Sequence, residues 1–262
     1  MNNPLLVAAV AAGLALLQAA CMQVPTQKAG GPPRPIVFPA PPDEPRFIYE
    51  RTIRSSADVL PEEPGSGLRR LVTGEQSTGE GLSKPYAVAV HRGRIFVSDT
   101  VARSVRVFDV PQSKQSKIGE EEGNGQLIKP VGLDVDAAGN LFIPNVTPDN
   151  GAKAIMVYGP DERFVRRIGS DKWFSRLSSV TVDPSGSRVY AVDLGGVSSE
   201  QHQVRVFDAV SGAHIMDIGK RGSGPGEFNL PRDVAIGKDG RLYVVDGGNF
   251  RVVVFDKGGR YL

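Results

Sequence analysis

The sequence predicts an all-β protein made of four-stranded antiparallel sheets repeated about a common axis, and three observations predict it. Four segments align with one another, and their equivalent positions Pro85, Pro130, Leu177 and Pro231 lie 45, 47 and 54 residues apart. A period of that size is one supersecondary unit per repeat. Each segment opens with a short aliphatic or alternating run (AVAV, GLDV, SVTV, DVAI), followed by HRGR, DAAGN, DPSGS or GKDG. Such runs joined by turns rich in Gly and Asp are strands in hairpins. Finally, 31 Gly and 20 Pro in 262 residues exceed what a helix-rich protein carries, while 40% hydrophobic residues suffice for a sizeable core. A unit of this kind is the blade of a β-propeller.

The N-terminus is read first as an address. Residues 1–20 hold no charged side chain, and residues 4–20 are apolar except for Gln18, the composition of a secretory signal. Leu17-Gln18-Ala19-Ala20-Cys21 resembles the bacterial lipobox, which implies that Cys21 receives a diacylglycerol. An uncleaved anchor helix and an ordinary secreted protein are the alternatives. Each of them puts the folded part outside the cytoplasm. Met22 is not the Asp that signals inner-membrane retention in some bacteria, so the expected location is the bacterial cell envelope, with the outer membrane preferred. Residues 21–45 follow as a stiff tether, since eight of the 24 residues from Met22 to Pro45 are proline. The propeller is then expected over 46–262, with 46–74 supplying the outer strands of a closing blade.

Blades are expected at 82–119, 127–169, 174–219 and 228–262. Three of them end in a fourth strand closed by Gly119, Gly169 or Gly219, and Leu82, Leu127, Phe174 and Phe228 take the same core position. The last blade, GSGPGEFNLPRDVAIGKDGRLYVVDGGNFRVVVFD, has a Gly-x-Gly lead-in, Phe and Pro before the first strand, an aromatic-x-Val-Asp end to the second and Asn-x-Arg before the third. These residues resemble the NHL-repeat β-propellers. Earlier blades drift, with Ser104, Ala154 and Gln203 in place of Arg251, and Leu177 in place of Pro231. The resemblance covers about residues 68–262 and implies six blades. Residues 256–262 reach only the start of a fourth strand, so the chain is expected to be incomplete at its C-terminus.

Charge and rare residues narrow the function. Thirty-one Lys and Arg against 29 Asp and Glu leave +2, too balanced for nucleic-acid binding. Three His and one Cys exclude a disulfide scaffold, a Cys-rich zinc module and an iron–sulfur protein. Loops between blades and loops between second and third strands share one face, and the insertions fall there, at 120–126, 147–153 and 194–203. Binding belongs on that variable face.

Three sets of residues are candidates on it. Asp99, Asn145, Asp193 and Asp246 end the second strands; they either gather a cation near the axis or cap their own loops. Lys84, Lys129, Arg176 and Arg232 flank the innermost strands; they either converge on an anion or are solvated loop charges. Trp173, aligned with Gly81, Gln126 and Glu227, is either an exposed partner anchor or core. His91, His202 and His214 neither repeat nor converge, and Asn145-Val-Thr147 is a chance sequon. The expectation is a non-catalytic scaffold without metal or cofactor, binding a protein or polymer. The alternative is a metal-dependent hydrolase or lyase, since similar six-bladed propellers include lactonases and lyases.

Overall fold

The computed structural model describes residues 35–62, 65–74, 79–147, 152–196 and 198–262; the expected signal segment, Cys21 and the expected tether up to residue 34 lie outside them. The chain divides into Met1–Thr52 and Ile53–Leu262. In the first unit, β1 (Ile36–Phe38) pairs antiparallel with β2 (Phe47–Tyr49). This corrects two expectations, because β1 interrupts the tether and β2 is no blade strand. The cause is local. Ile-Val-Phe and Phe-Ile-Tyr are β-branched and aromatic triplets whose cross-strand pairs stabilise a ribbon.

In the second unit, residues 66–73 also depart from the closing-blade reading. They form the helix α1 (Ser66–Thr73); apolar positions 68, 71 and 72 recur at intervals of three and four, the helical period. Residues 56–58 form a 3-10 turn, fixed where Asp58 accepts the N–H groups of Arg54 and Ser55. From this turn Val59, together with Ile53, packs against Val97 and Phe108 of the first blade.

The four expected blades are present. The first is β3 (Pro85–His91), β4 (Arg94–Asp99), β5 (Ser104–Asp109) and β6 (Lys114–Ile118), bonded in that order. The second is β7 (Asp134–Val135), β8 (Leu141–Val146), β9 (Lys153–Tyr158) and β10 (Phe164–Ile168). The third is β11 (Leu177–Val182), β12 (Arg188–Asp193), β13 (Gln203–Asp208) and β14 (His214–Ile218). The fourth has β15 (Pro231–Ile236), β16 (Leu242–Asp246) and β17 (Arg251–Phe255), and Tyr261 begins to pair with Phe255.

Consecutive blades are joined face to face by apolar layers. Val107 and Ile118 of the first blade meet Leu141, Ile143 and Met156 of the second. Ile155 and Val157 of the second meet Val180, Val189 and Ala191 of the third. Val192, Val204 and Val206 of the third meet Val234, Val244 and Val253 of the fourth. Strands sandwiched this way are apolar on both faces, which explains the continuous run VYAV of β12.

The joints repeat as well. Gly119, Gly169 and Gly219 end their blades at φ +87°, +75° and +79°. A Cβ there would stand 2.3 Å from Leu127, 2.4 Å from Phe174 and 2.2 Å from Phe228 respectively. Glycine lets the chain turn left-handed and lets the next blade's plug press on its backbone. Gly219→Ala therefore adds overpacking of ~1–3 kcal/mol to a left-handed penalty of ~1–2 kcal/mol. Gly240→Ala, at φ +78° with Lys257 no closer than 3.9 Å, carries the backbone penalty alone. Chemical denaturation of the two variants measures the difference.

Candidate functional site

The variable face is organised by one acceptor per blade at the end of the second strand. Asp99 Oδ2 accepts the N–H groups of Ser83 (2.6 Å) and Lys84 (3.0 Å), and its Oδ1 accepts those of Val101 (3.1 Å) and Ala102 (2.9 Å). Asn145 Oδ1 accepts from the Ile128 and Lys129 N–H groups at 2.9 and 3.0 Å, while its amide donates to Gln126 O. Asp193 holds the Ser175 and Arg176 N–H groups at 3.0 and 2.7 Å, and Asp246 holds that of Asn229 at 2.6 Å. Each side chain ties the loop entering its blade to the strand that leaves the axis.

These four residues are buried and bonded within their own blades, so they do not form a ring open to a cation. Asn145 likewise presents no free amide for the sequon. Burial works against the charge on Asp99, but the N–H groups of Ala102, Lys84, Ser83 and Val101 outweigh it and hold the carboxyl below its ordinary 3.8.

The expected cations do not converge. An open cavity of about 770 Å³ lies among the innermost strands, and Arg232 lines it, whereas Lys84, Lys129 and Arg176 do not. Their backbone N–H groups serve the acceptors just described, and the Lys84 and Arg176 side chains stand in solvent from the loop before the strand. Two polar pairs in the cavity join neighbouring blades: Thr181 Oγ1 donates to Asp134 Oδ2 at 2.7 Å, and Ser179 Oγ donates to Asp233 Oδ1 at 2.5 Å.

Trp173 is half-buried rather than free. It meets Phe207 edge-on, stacks on His214 at 4.2 Å and 17°, and has the Arg205 guanidinium 5.8 Å from its centroid. Arg205 and His214 share Asp217, at 3.0 and 2.8 Å. His202 is fully buried; Leu230 N–H donates to its Nδ1 at 3.2 Å, and its Nε2 lies 3.0 Å from Gly196 O. Accepting at Nδ1 makes Nε2 the donor, so the ring is the neutral Nε2–H tautomer. It links the 194–203 loop to the entry of the fourth blade.

A second set of fastenings was not foreseen from the sequence. Arg251 donates to the Ser223, Gly224 and Glu227 carbonyls at 2.8–2.9 Å and to Asp246 at 3.0 Å, which fixes the Gly-rich lead-in. Other blades use other side chains of the third strand. Arg106 pairs with Glu80 at 2.8 Å, Tyr158 OH donates to Gly125 O, and Arg205 covers Trp173. The signal available was an arginine in the middle of an otherwise apolar strand, in SVRVF and QVRVF.

Asp99→Ala leaves four N–H groups without their acceptor and is expected to cost about 3 kcal/mol. Asp99→Asn keeps one oxygen for Ser83 and Lys84 but sets an amide against Val101 and Ala102, and should cost about half as much. The depressed carboxyl of Asp99 contributes stability above its ordinary 3.8 that is lost as pH falls through the folded-state value. Urea titrations across that acid range should give a shallower pH slope for Asp99→Asn than for the parent.

Comparison with known proteins agrees with this geometry. A family model described as a 6-bladed β-propeller matches residues 197–262. The human NHL repeat-containing protein 3 is 49% identical over 85 residues, 32% of this chain and 23% of the relative. A probable peptidyl-alpha-hydroxyglycine alpha-amidating lyase of Caenorhabditis elegans is 27% identical over 114 residues, 42% of this chain and 31% of the relative. The chain thus spans less than a third of these curated relatives. Among solved structures, a nidogen/laminin complex superposes with TM-score 0.53 at 18% identity, covering 71% of this chain and 64% of that one. A Xanthomonas campestris gluconolactonase gives 0.53 at 17%, covering 68% and 60%. Identities this low speak for fold alone. Repeat, blade geometry and matches together show that this chain is built of β-propeller blades, similar to those of NHL-repeat proteins.

Proposed function

We infer that the chain is a binding platform whose variable face docks a protein partner, outside the cytoplasm and on a lipid anchor at Cys21. The observation that carries the docking reading is Phe250. It ends the loop between β16 and β17 in the left-handed conformation (φ 54°, ψ 42°) and is 96% exposed. A bulky residue there costs ~1–2 kcal/mol relative to ordinary backbone, and an exposed Phe returns nothing to the fold. Such strain is characteristic of functional positions, and a rigid exposed aromatic is what an interface uses as an anchor.

The surroundings support the same reading. Asn249 donates to Asp246 at 2.7 Å and to Gly222 O at 2.9 Å, so the turn beneath the ring is fixed on both sides. Arg103, at φ 56°, occupies the matching place on the first blade. Propellers commonly serve as protein-binding domains.

The metal-dependent hydrolase or lyase is the second reading, favoured by the lyase and the gluconolactonase among the similar proteins. Among the described residues no three His, Cys, Asp or Glu side chains are grouped to hold a metal, so that reading rests on residues outside them.

Two measurements test the platform. Phe250→Gly should raise stability by ~1 kcal/mol while abolishing, in cells, adducts of a photo-crosslinker placed at exposed Val101 in the equivalent loop between β4 and β5 of the first blade; unchanged adducts would refute the anchor. For the membrane link, palmitate labelling should be lost in Cys21→Ser and retained in the parent.

A further inference from the structure

The ribbon β1–β2 is apolar wherever it meets solvent. Ile36 faces Tyr49 and Phe38 faces Phe47 across the pair, so these four side chains share one face; Val37 and Ile48 share the other. Ile36, Phe38, Phe47, Ile48 and Tyr49 are 57%, 54%, 70%, 65% and 44% exposed. Two strands of three residues are marginally stable alone in water, and this ribbon has no polar face to turn outwards. Five large apolar side chains bared within 14 residues, 36–49, are an interaction surface.

Three observations choose the occupant. Both faces are apolar, which suits an apolar medium better than a protein groove that covers one side. Arg46 and Arg51, both exposed, flank β2, while Asp43 and Glu44 lie at the turn, so the cations border the apolar residues and the carboxylates stand at one end. Tyr49 keeps its hydroxyl on Thr52 Oγ1 at 2.7 Å, an aromatic with one wet end. This is the composition of a segment lying in the headgroup region. Ile36 follows Cys21 by 15 residues, so a proline-rich connection of ~3 Å per residue confines the ribbon to within about 45 Å of any bilayer holding that cysteine.

We propose that the β1–β2 ribbon is a membrane-interface anchor, which inserts Ile36, Phe38, Phe47 and Tyr49 among phospholipid headgroups and upper acyl chains. Its high effective concentration at the surface rests on the Cys21 anchor inferred above, but the insertion itself does not. The ribbon then fixes the stalk along the membrane, where an acyl anchor alone leaves it free to swing.

The test uses the full chain carrying Trp173→Phe and Phe47→Trp, so that the only tryptophan reports from the ribbon. Vesicles of phosphatidylethanolamine and phosphatidylglycerol, with or without brominated acyl chains, are added to the protein with Cys21 intact and to its Cys21→Ser version. Insertion predicts a blue shift of the emission and quenching by bromine in both forms. Adding Ile36→Ser and Phe38→Ser should weaken vesicle affinity at least about tenfold. Emission that ignores vesicles, or that ignores bromine, would overturn the proposal and leave a protein as the occupant. Loss of acylation with quenching retained would count against the Cys21 reading alone.

Discussion

A buried acceptor at the end of each second strand is the constraint on which this molecule depends. A propeller blade must bring the chain back from its outer edge to the axis, and that return crosses the end of the sheet as irregular backbone with N–H groups that no ladder satisfies. Asp99, Asn145, Asp193 and Asp246 supply the missing acceptors. Unsatisfied buried N–H groups would each cost about 1–3 kcal/mol, so the acceptors determine whether the lead-in loops lie down at all. The position recurs in every blade because the problem does.

The second fastening, from the third strand to the lead-in loop, shows how much latitude remains once the first is in place. Arg251 meets three carbonyls and a carboxylate. Two of the other blades use a side chain two residues further along, Arg106 or Arg205, and one uses a side chain four residues along, Tyr158. On a strand, a step of two or four returns to the same face, which is why these substitutes reach the same loop. The faces and rims are therefore fixed while the groups displayed on them differ from blade to blade.

This also decides what was legible in the sequence. The period, the hairpin turns, the plugs Leu127, Phe174 and Phe228 and the second-strand acceptors follow from local pattern, because each blade solves its problems with nearby residues. The substitution of Ser104, Ala154 and Gln203 for Arg251 reads as loss when positions are compared one to one; the replacement lies further along the strand and emerges only in three dimensions. Lys84, Lys129 and Arg176 pointed the wrong way for a related reason. Their spacing relative to the strand is regular, but the regularity belongs to their backbone N–H groups and not to their side chains. Within 46–74, alternation over so short a segment does not say which partner a strand will find: β2 pairs with β1, and 66–73 form a helix.

The reach of the acceptor bonds along the chain has a kinetic side. Asp99, Asn145, Asp193 and Asp246 bind backbone only 15–18 residues upstream. Contacts so local need little loop closure and form early, so each sheet can shut as soon as its own third strand leaves a ribosome or a translocation pore.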